Sequence, residues 1–263
     1  MKIIMLATML VLVMLCPISA WSQASKYKAA ADAGDANAQY QLGICYYDGN
    51  GVVKNETMAV VWWQKAAVQG LVQAQFNLGL CYYNGIGIAQ DYSKAVEWWS
   101  KSAERGYAMA QFNLGVCLEK GIGITANKPL GVEWYRKSAE QGYVEAQYSL
   151  AVCYYNSIGV AQDVTQAEKW FRMAALQGHA QAQYNLGVCY EHGIGVSKDY
   201  SKAVEWYRKS ADQGNADGQF NLGVCYYNGT GVTKNNVLAV ELWRKAAAQG
   251  HTSAKEILSR IGL

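Results

Sequence analysis

Apolar residues first fall into a regular beat between Ala36 and Asp48. Ala38, Leu42, Cys45 and Tyr46 keep the three-and-four spacing of one helix face. A short polar loop, Gly49-Asn50-Gly51-Val52, interrupts the beat, and a second helical pattern resumes with Ala59, Trp62 and Ala66. The pair predicts a helix A, a turn and a helix B. The same arrangement then returns without gaining or losing a residue. Gln39, Gln75, Gln111, Gln147, Gln183 and Gln219 stand 36 residues apart, and so do Gly34, Gly70, Gly106, Gly142, Gly178, Gly214 and Gly250. A fixed period of this length predicts an all-α solenoid of six helix pairs, each burying its apolar face on its neighbours.

The punctuation agrees with that reading. Helix B starts at Asn55, Asp91, Asn127, Asp163, Asp199 and Asn235, residue types whose side chains accept from the free N–H groups of a first turn. It stops at the repeated glycine. The loop glycines supply backbone angles that other residues resist, and only the fourth copy departs, with Ser157 before Gly159. No strand precedes these Gly-x-Gly loops, so they are structural turns and not phosphate cradles. The repeated Trp98, Trp134, Trp170 and Trp206 read as core packed against alanines. Glu97 with Lys101, Glu133 with Lys137, Glu205 with Lys209 and Glu241 with Lys245 mark a solvated outer face. The segments 26–33 and 253–261 read as partial copies that cover the ends.

The chain has 263 residues, 51% apolar, with a formal net charge of +3. The charge is too small to suggest nucleic acid, and two prolines beside nine tryptophans argue against disorder. The N-terminus is separate. Lys2, an apolar run over 3–15 and the small residues around Ala20, Ser22 and Ala24 match an export signal, cleaved after Ala24 or alternatively after Ala20. The run is short for an uncleaved anchor. Residues 1–24 are thus expected to be a signal and 25–263 the solenoid. The repeats are expected at about 35–70, 71–106, 107–142, 143–178, 179–214 and 215–250, with a cap at 251–263.

The run Ala182-Gln183-Tyr184-Asn185-Leu186-Gly187-Val188-Cys189-Tyr190, then Gly193, Gly195, Ala203, Trp206 and Lys209-Ser210-Ala211, resembles the Sel1-like repeat family, relatives of tetratricopeptide repeats. The resemblance covers about Lys26 to Leu263. Ala151, Ser157, Leu118 and Leu242 depart from its pattern and suggest local repacking. The resemblance implies a right-handed superhelix with helix A lining a concave side, and a role as an adaptor for protein complexes, often exported.

Six cysteines, Cys45, Cys81, Cys117, Cys153, Cys189 and Cys225, keep the period. Equivalent positions on stacked helices lie roughly 8–10 Å apart, and a disulfide needs Cα atoms within about 7 Å. Buried apolar thiols are therefore expected. Cysteine-rich members of the resembled family carry a second cysteine per repeat, which is missing here. Cys and His never cluster at ligand spacing, so no metal and no cofactor are expected.

The candidate binding residues lie on helix A beside the core stripe. Asn77, Asn113, Asn185 and Asn221 occupy one repeat position, and Asn84 and Asn228 stand two turns on along the same stripe. Amides can donate to and accept from an extended peptide backbone, and the tetratricopeptide resemblance implies that use. The competing reading is that these asparagines tie each repeat to its neighbour's backbone. Tyr47, Tyr83, Tyr155 and Tyr227 either rim the same groove or pack the loops.

Catalysis is expected to be absent. The only Ser-x-x-Lys is Ser25 to Lys28, no Lys-Thr-Gly follows, and His179, His192 and His251 form no visible nucleophile–base pair. The reading is an exported, periplasmic or secreted scaffold with a protein or extended-peptide partner. It has no nucleic-acid role and no stable membrane span once the signal is removed. The alternative is a weak β-lactamase-like or cell-wall hydrolase.

Overall fold

Every helical beat in the sequence becomes a helix. A computed structural model describes residues 18–262 and holds fourteen helices and no strand among them. The leader expected at residues 1–24 falls outside the described residues as far as position 17. The chain divides into two compact units, the first ending at Ser102 and the second beginning at Ala103.

The first unit runs α1 (Ile18–Asp32), α2 (Ala36–Asp48), α3 (Glu56–Val68), α4 (Val72–Asn84) and α5 (Tyr92–Glu104), with the division inside α5. The second runs α6 (Ala108–Lys120), α7 (Lys128–Glu140), α8 (Val144–Asn156), α9 (Val164–Leu176), α10 (Ala180–His192), α11 (Tyr200–Asp212), α12 (Ala216–Asn228), α13 (Asn236–Ala248) and α14 (Thr252–Arg260). Within each unit consecutive helices pack on one another, the stacking of an all-α solenoid. Even-numbered helices from α2 to α12 are helix A, and the odd-numbered helices that follow them are helix B.

The caps act as read. Asn55 accepts from the Met58 N–H at 3.0 Å, Asp91 from Lys94 at 3.0 Å and Asn235 from Leu238 at 3.1 Å. Helix A ends on a left-handed residue, a glycine in five copies and Ser157 in the fourth, at φ 59°. The second loop glycine has a further reason to be glycine. A Cβ on Gly87 would sit 2.4 Å from the Glu56 backbone, and one on Gly195 2.2 Å from the Val164 carbonyl. Each such loop therefore lies directly on the first turn of the preceding helix B.

Two expectations are refined. The N-terminal partial copy is longer than residues 26–33, because α1 is a full helix with Ala24 and Ala31 buried against Ala38 and Leu42. The deepest aromatic of helix B is not the repeated tryptophan but the residue after it. Trp99, Tyr135, Phe171, Tyr207 and Trp243 are all buried, whereas Trp98 and Trp134 are half-exposed under Lys101 and Lys137. Lysine stems and ammonium groups cover indole faces there, a favourable cation–π arrangement.

No helix among the described residues is long and apolar enough to cross a membrane.

Candidate functional site

The glutamine that marks each repeat is a buried bracket. Its Nε2 donates to the carbonyl eight residues earlier, at the end of the preceding helix B. The distance is 3.1 Å for Gln39 to Ala31, Gln75 to Ala67 and Gln183 to Ala175. Its Oε1 accepts from the glutamine that closes its own repeat's helix B, 2.7 Å from Gln141 to Gln111 and 2.8 Å from Gln177 to Gln147. A side chain with both a donor and an acceptor is needed to serve a helix end and a neighbouring amide together. The perfect recurrence of this residue was the available signal of that role.

The deep aromatic sets the angle between A and B. The indole N–H groups of Trp63, Trp99 and Trp243 each reach an A-helix carbonyl at 3.2 Å, on Tyr40, Phe76 and Phe220. The ring lies so close that a Cβ on Gly43 would meet Trp63 at 2.5 Å, and one on Gly187 would meet Tyr207 at 2.5 Å. Where Ala151 replaces that glycine, the facing ring is the smaller Phe171. A second exchange accompanies it. Tyr135 donates to Glu119 at 2.7 Å and Tyr207 to Glu191, whereas Trp63, Trp99, Phe171 and Trp243 face Tyr47, Tyr83, Tyr155 and Tyr227.

Notches open between successive A helices, floored by helix B. In the first unit a cavity of about 220 Å³ is lined by Tyr47, Trp63, Asn77, Leu80 and Asn84. In the second, a cavity of about 300 Å³ is lined by Tyr148, Val152, Tyr155, Phe171, Tyr184 and Asn185. Another of about 280 Å³ is lined by Tyr227, Asn228, Trp243, Ile257 and Arg260. Asn77, Asn84, Asn185 and Asn228 thus fall at notch walls. Asn113 and Asn221 are half-buried on α6 and α12. Of the tyrosines named from sequence, Tyr47, Tyr155 and Tyr227 line notches, and all four, Tyr83 included, pack on the deep aromatics.

The asparagines also meet tyrosine hydroxyls one repeat back: Asn77 with Tyr40, Asn185 with Tyr148 and Asn221 with Tyr184. Burial raises each of these hydroxyls above its ordinary value, and the amide opposes the rise. Where the earlier residue is Phe76, Phe112 or Phe220, the later position holds Asn113, Ser149 or Ile257, so the asparagine does not follow the tyrosine strictly.

The remaining candidate chemistry is structural. All six repeat cysteines are free and buried. Desolvation pushes the Cys81, Cys153, Cys189 and Cys225 thiols up to about 12 and Cys117 to about 11. Such thiols stay protonated and inert at neutral pH. His179 and His251 are helix N-caps whose Nδ1 accepts from Ala182 at 3.1 Å and Ala254 at 3.2 Å. That bond fixes the Nε2–H tautomer, and the rings stack on Tyr148 and Phe220 at 4.5 Å. Among the described residues no cluster of His, Cys, Asp or Glu could hold a metal ion.

The Sel1 repeat family matches residues 36–71, 72–107, 108–143, 144–179, 180–215 and 216–251. The chain belongs to the Sel1 repeat family. Two solved structures are similar over most of it. One is a protective antigen present in uropathogenic Escherichia coli strains and displaying an SLR fold, at 41% identity and a TM-score of 0.86, covering 91% of this chain and 52% of that one. The other is a Sel1 repeat protein from Oxalobacter formigenes, at 34% identity and a TM-score of 0.77, covering 90% and 68%. The chain therefore spans about half the length of the E. coli protein. Among curated proteins none matches. Sel1 repeat proteins generally mediate protein–protein interaction.

Proposed function

We propose that this Sel1 repeat protein is an exported adaptor that holds an extended segment of a partner protein along the A-helix stripe of its repeats. The observation that carries the reading is the recurrence of one notch type in both units. Each notch has an aromatic floor, and those of α2–α4 and α8–α10 also have an asparagine wall. An extended chain places side chains at regular intervals, so repeated notches suit it and affinity accumulates across repeats. An amide offers two donors and an acceptor with two lone pairs. The bond to a tyrosine hydroxyl therefore leaves Asn77, Asn185 and Asn221 capacity for a peptide backbone.

Asn77, Asn113, Asn185 and Asn221 are the residues of this proposal that grip the backbone, with Asn84 and Asn228 at the rim. The test is binding of a random dodecapeptide array by the wild type and by the N77A/N113A/N185A/N221A variant. The adaptor reading expects capture by the wild type and at least about tenfold weaker capture by the variant, corresponding to about 1.4 kcal/mol. The three lost tyrosine bonds, at about 0.5–1.5 kcal/mol each, should together lower stability by about 1.5–4.5 kcal/mol, so capture is compared at a temperature where both proteins remain folded. Equal capture by both proteins would move the site off the A helices. A large drop in melting with unchanged capture would make the asparagines ties between repeats.

Export belongs to the same reading. Ala24 is 3% exposed within the core of the first unit. Removal after Ala20, which leaves Ala24 in place, is therefore favoured over removal after Ala24.

A further inference from the structure

The notches share a shape but not their charged surroundings. Beside the uncharged lining of the notch of α8, α9 and α10 stand three carboxylates. Glu145 lies one turn before Tyr148 on α8, Glu191 lies one turn after the lining Val188 on α10, and Asp217 meets the lining Gln181 at 3.5 Å. Their charges reach the notch. Glu145 and Asp217 act on the Tyr148 hydroxyl, and Asp217 and Glu191 act on that of Tyr184, adding to the rise that burial causes.

These carboxylates are occupied but not saturated. Glu145 meets His179 at 3.3 Å, Asp217 meets His251 at 3.4 Å, and Glu191 accepts from Tyr207. Glu145 and Asp217 remain 53% and 46% exposed, which leaves acceptor sites for a ligand. The other notches lack this character. In the α2–α4 notch the position of Glu145 is taken by Asn37, that of Gln181 by Gln73 and that of Glu191 by Tyr83. The α12–α14 notch carries Arg260 in its own wall.

We propose that the α8–α10 notch is a specificity pocket for a lysine or arginine side chain of the bound segment. Its cationic head would sit against the faces of Tyr148, Tyr155 and Tyr184, among Glu145, Glu191 and Asp217. Four aromatic rings (those three tyrosines and Phe171) line a cavity of about 300 Å³ whose neighbours include three carboxylates, and together they favour a cation through ring quadrupoles and a focused negative field. The α2–α4 notch instead has charges of both signs near it, Lys54 over Tyr47 at 5.6 Å and Glu56 acting on Cys81. This inference rests on the groove reading above.

The experiment uses the same random dodecapeptide array and three further proteins. E145Q/E191Q/D217N neutralises the pocket, E133Q/E140Q/E205Q removes as much charge from exposed positions of the B helices, and E145K/D217K reverses two exposed carboxylates. The wild type is expected to enrich peptides carrying lysine or arginine. The pocket triple variant should bind a selected basic peptide about tenfold more weakly, and the B-helix triple should bind it as the wild type does. The reversed variant should shift enrichment toward acidic side chains, and it keeps the test valid if losing Glu191 disturbs Tyr207. Peptides captured without basic enrichment would overturn the pocket and leave the groove standing. Equal weakening by both triple variants would overturn it in favour of general charge attraction. Capture of no peptide by any protein would overturn the groove, and the pocket with it.

Discussion

At the residue scale, the repeat depends on a few side chains with two jobs each. The marker glutamine is the clearest. It is buried in every copy, it terminates one helix B, and in five copies it accepts from the glutamine that closes the next helix B. Replacing Gln183 by alanine removes a buried side-chain hydrogen bond from the Ala175 carbonyl, which keeps the Gly178 N–H, and leaves the exposed Gln213 amide to water. A net hydrogen bond is worth about 0.5–1.5 kcal/mol, so Q183A should lose about that much stability in urea unfolding. An unchanged midpoint would show that water replaces the side chain. The deep aromatic is comparable. Gly187 admits the Tyr207 ring, and Ala151 goes with the smaller Phe171. Glycine appeared in the sequence as a helix residue of poor propensity, and its reason, a ring at contact distance, lies 20 positions further along the chain.

At the element scale, helix boundaries follow local chemistry. The expected helix A of residues 36–48 is α2, and asparagine and aspartate caps open the B helices where read, because capping needs only residues three apart. The exposed faces differ more. The Glu–Lys pairs close at 2.6 Å for Glu97 with Lys101 and 2.7 Å for Glu241 with Lys245, yet Lys137 and Lys209 also reach over Trp134 and Trp206 at 4.0 and 4.2 Å. The element whose extent the repeat pattern understated is α1. Its buried Ala24 occupies the position of Val60 in α3, so losing it opens the first unit's core. On the export reading proposed above, sequencing of the processed chain should therefore begin at Trp21. A start at Ser25 would mean that the core tolerates the truncated helix.

At the scale of the whole molecule, the buried thiols should make stability strongly pH-dependent on the alkaline side. Their values in the folded chain, about 11 to 12 for five of them, exceed the ordinary thiol value of 9.0. The folded state therefore holds protons that the unfolded state releases between those limits. The stability so contributed is complete below about pH 8.5 and is lost as pH rises toward the folded values. Each such thiol adds up to about 1.4 kcal/mol of loss per pH unit. Burial raises the hydroxyls of Tyr135 and Tyr207 in the same direction. Urea midpoints should be flat from about pH 7 to 8 and fall steeply above about pH 9. A C117A/C153A variant should fall less steeply. Equal slopes in the two proteins would mean that the thiols do not couple to unfolding.

The sequence by itself determined the helices of the six repeats, their ends and the family, because each rests on near-neighbour spacing repeated six times. It also brought out the asparagine stripe, since residues on one helix face share a period. The tertiary structure decided what that stripe faces. Asn185 meets Tyr148, Glu119 takes the hydroxyl of Tyr135, and Asp217 reaches Gln181. These partners stand 37, 16 and 36 residues apart. No local pattern links them. Only the packing of helix A on helix B and of one repeat on the next brings them within hydrogen-bonding distance, and that packing gives equivalent notches different charged surroundings.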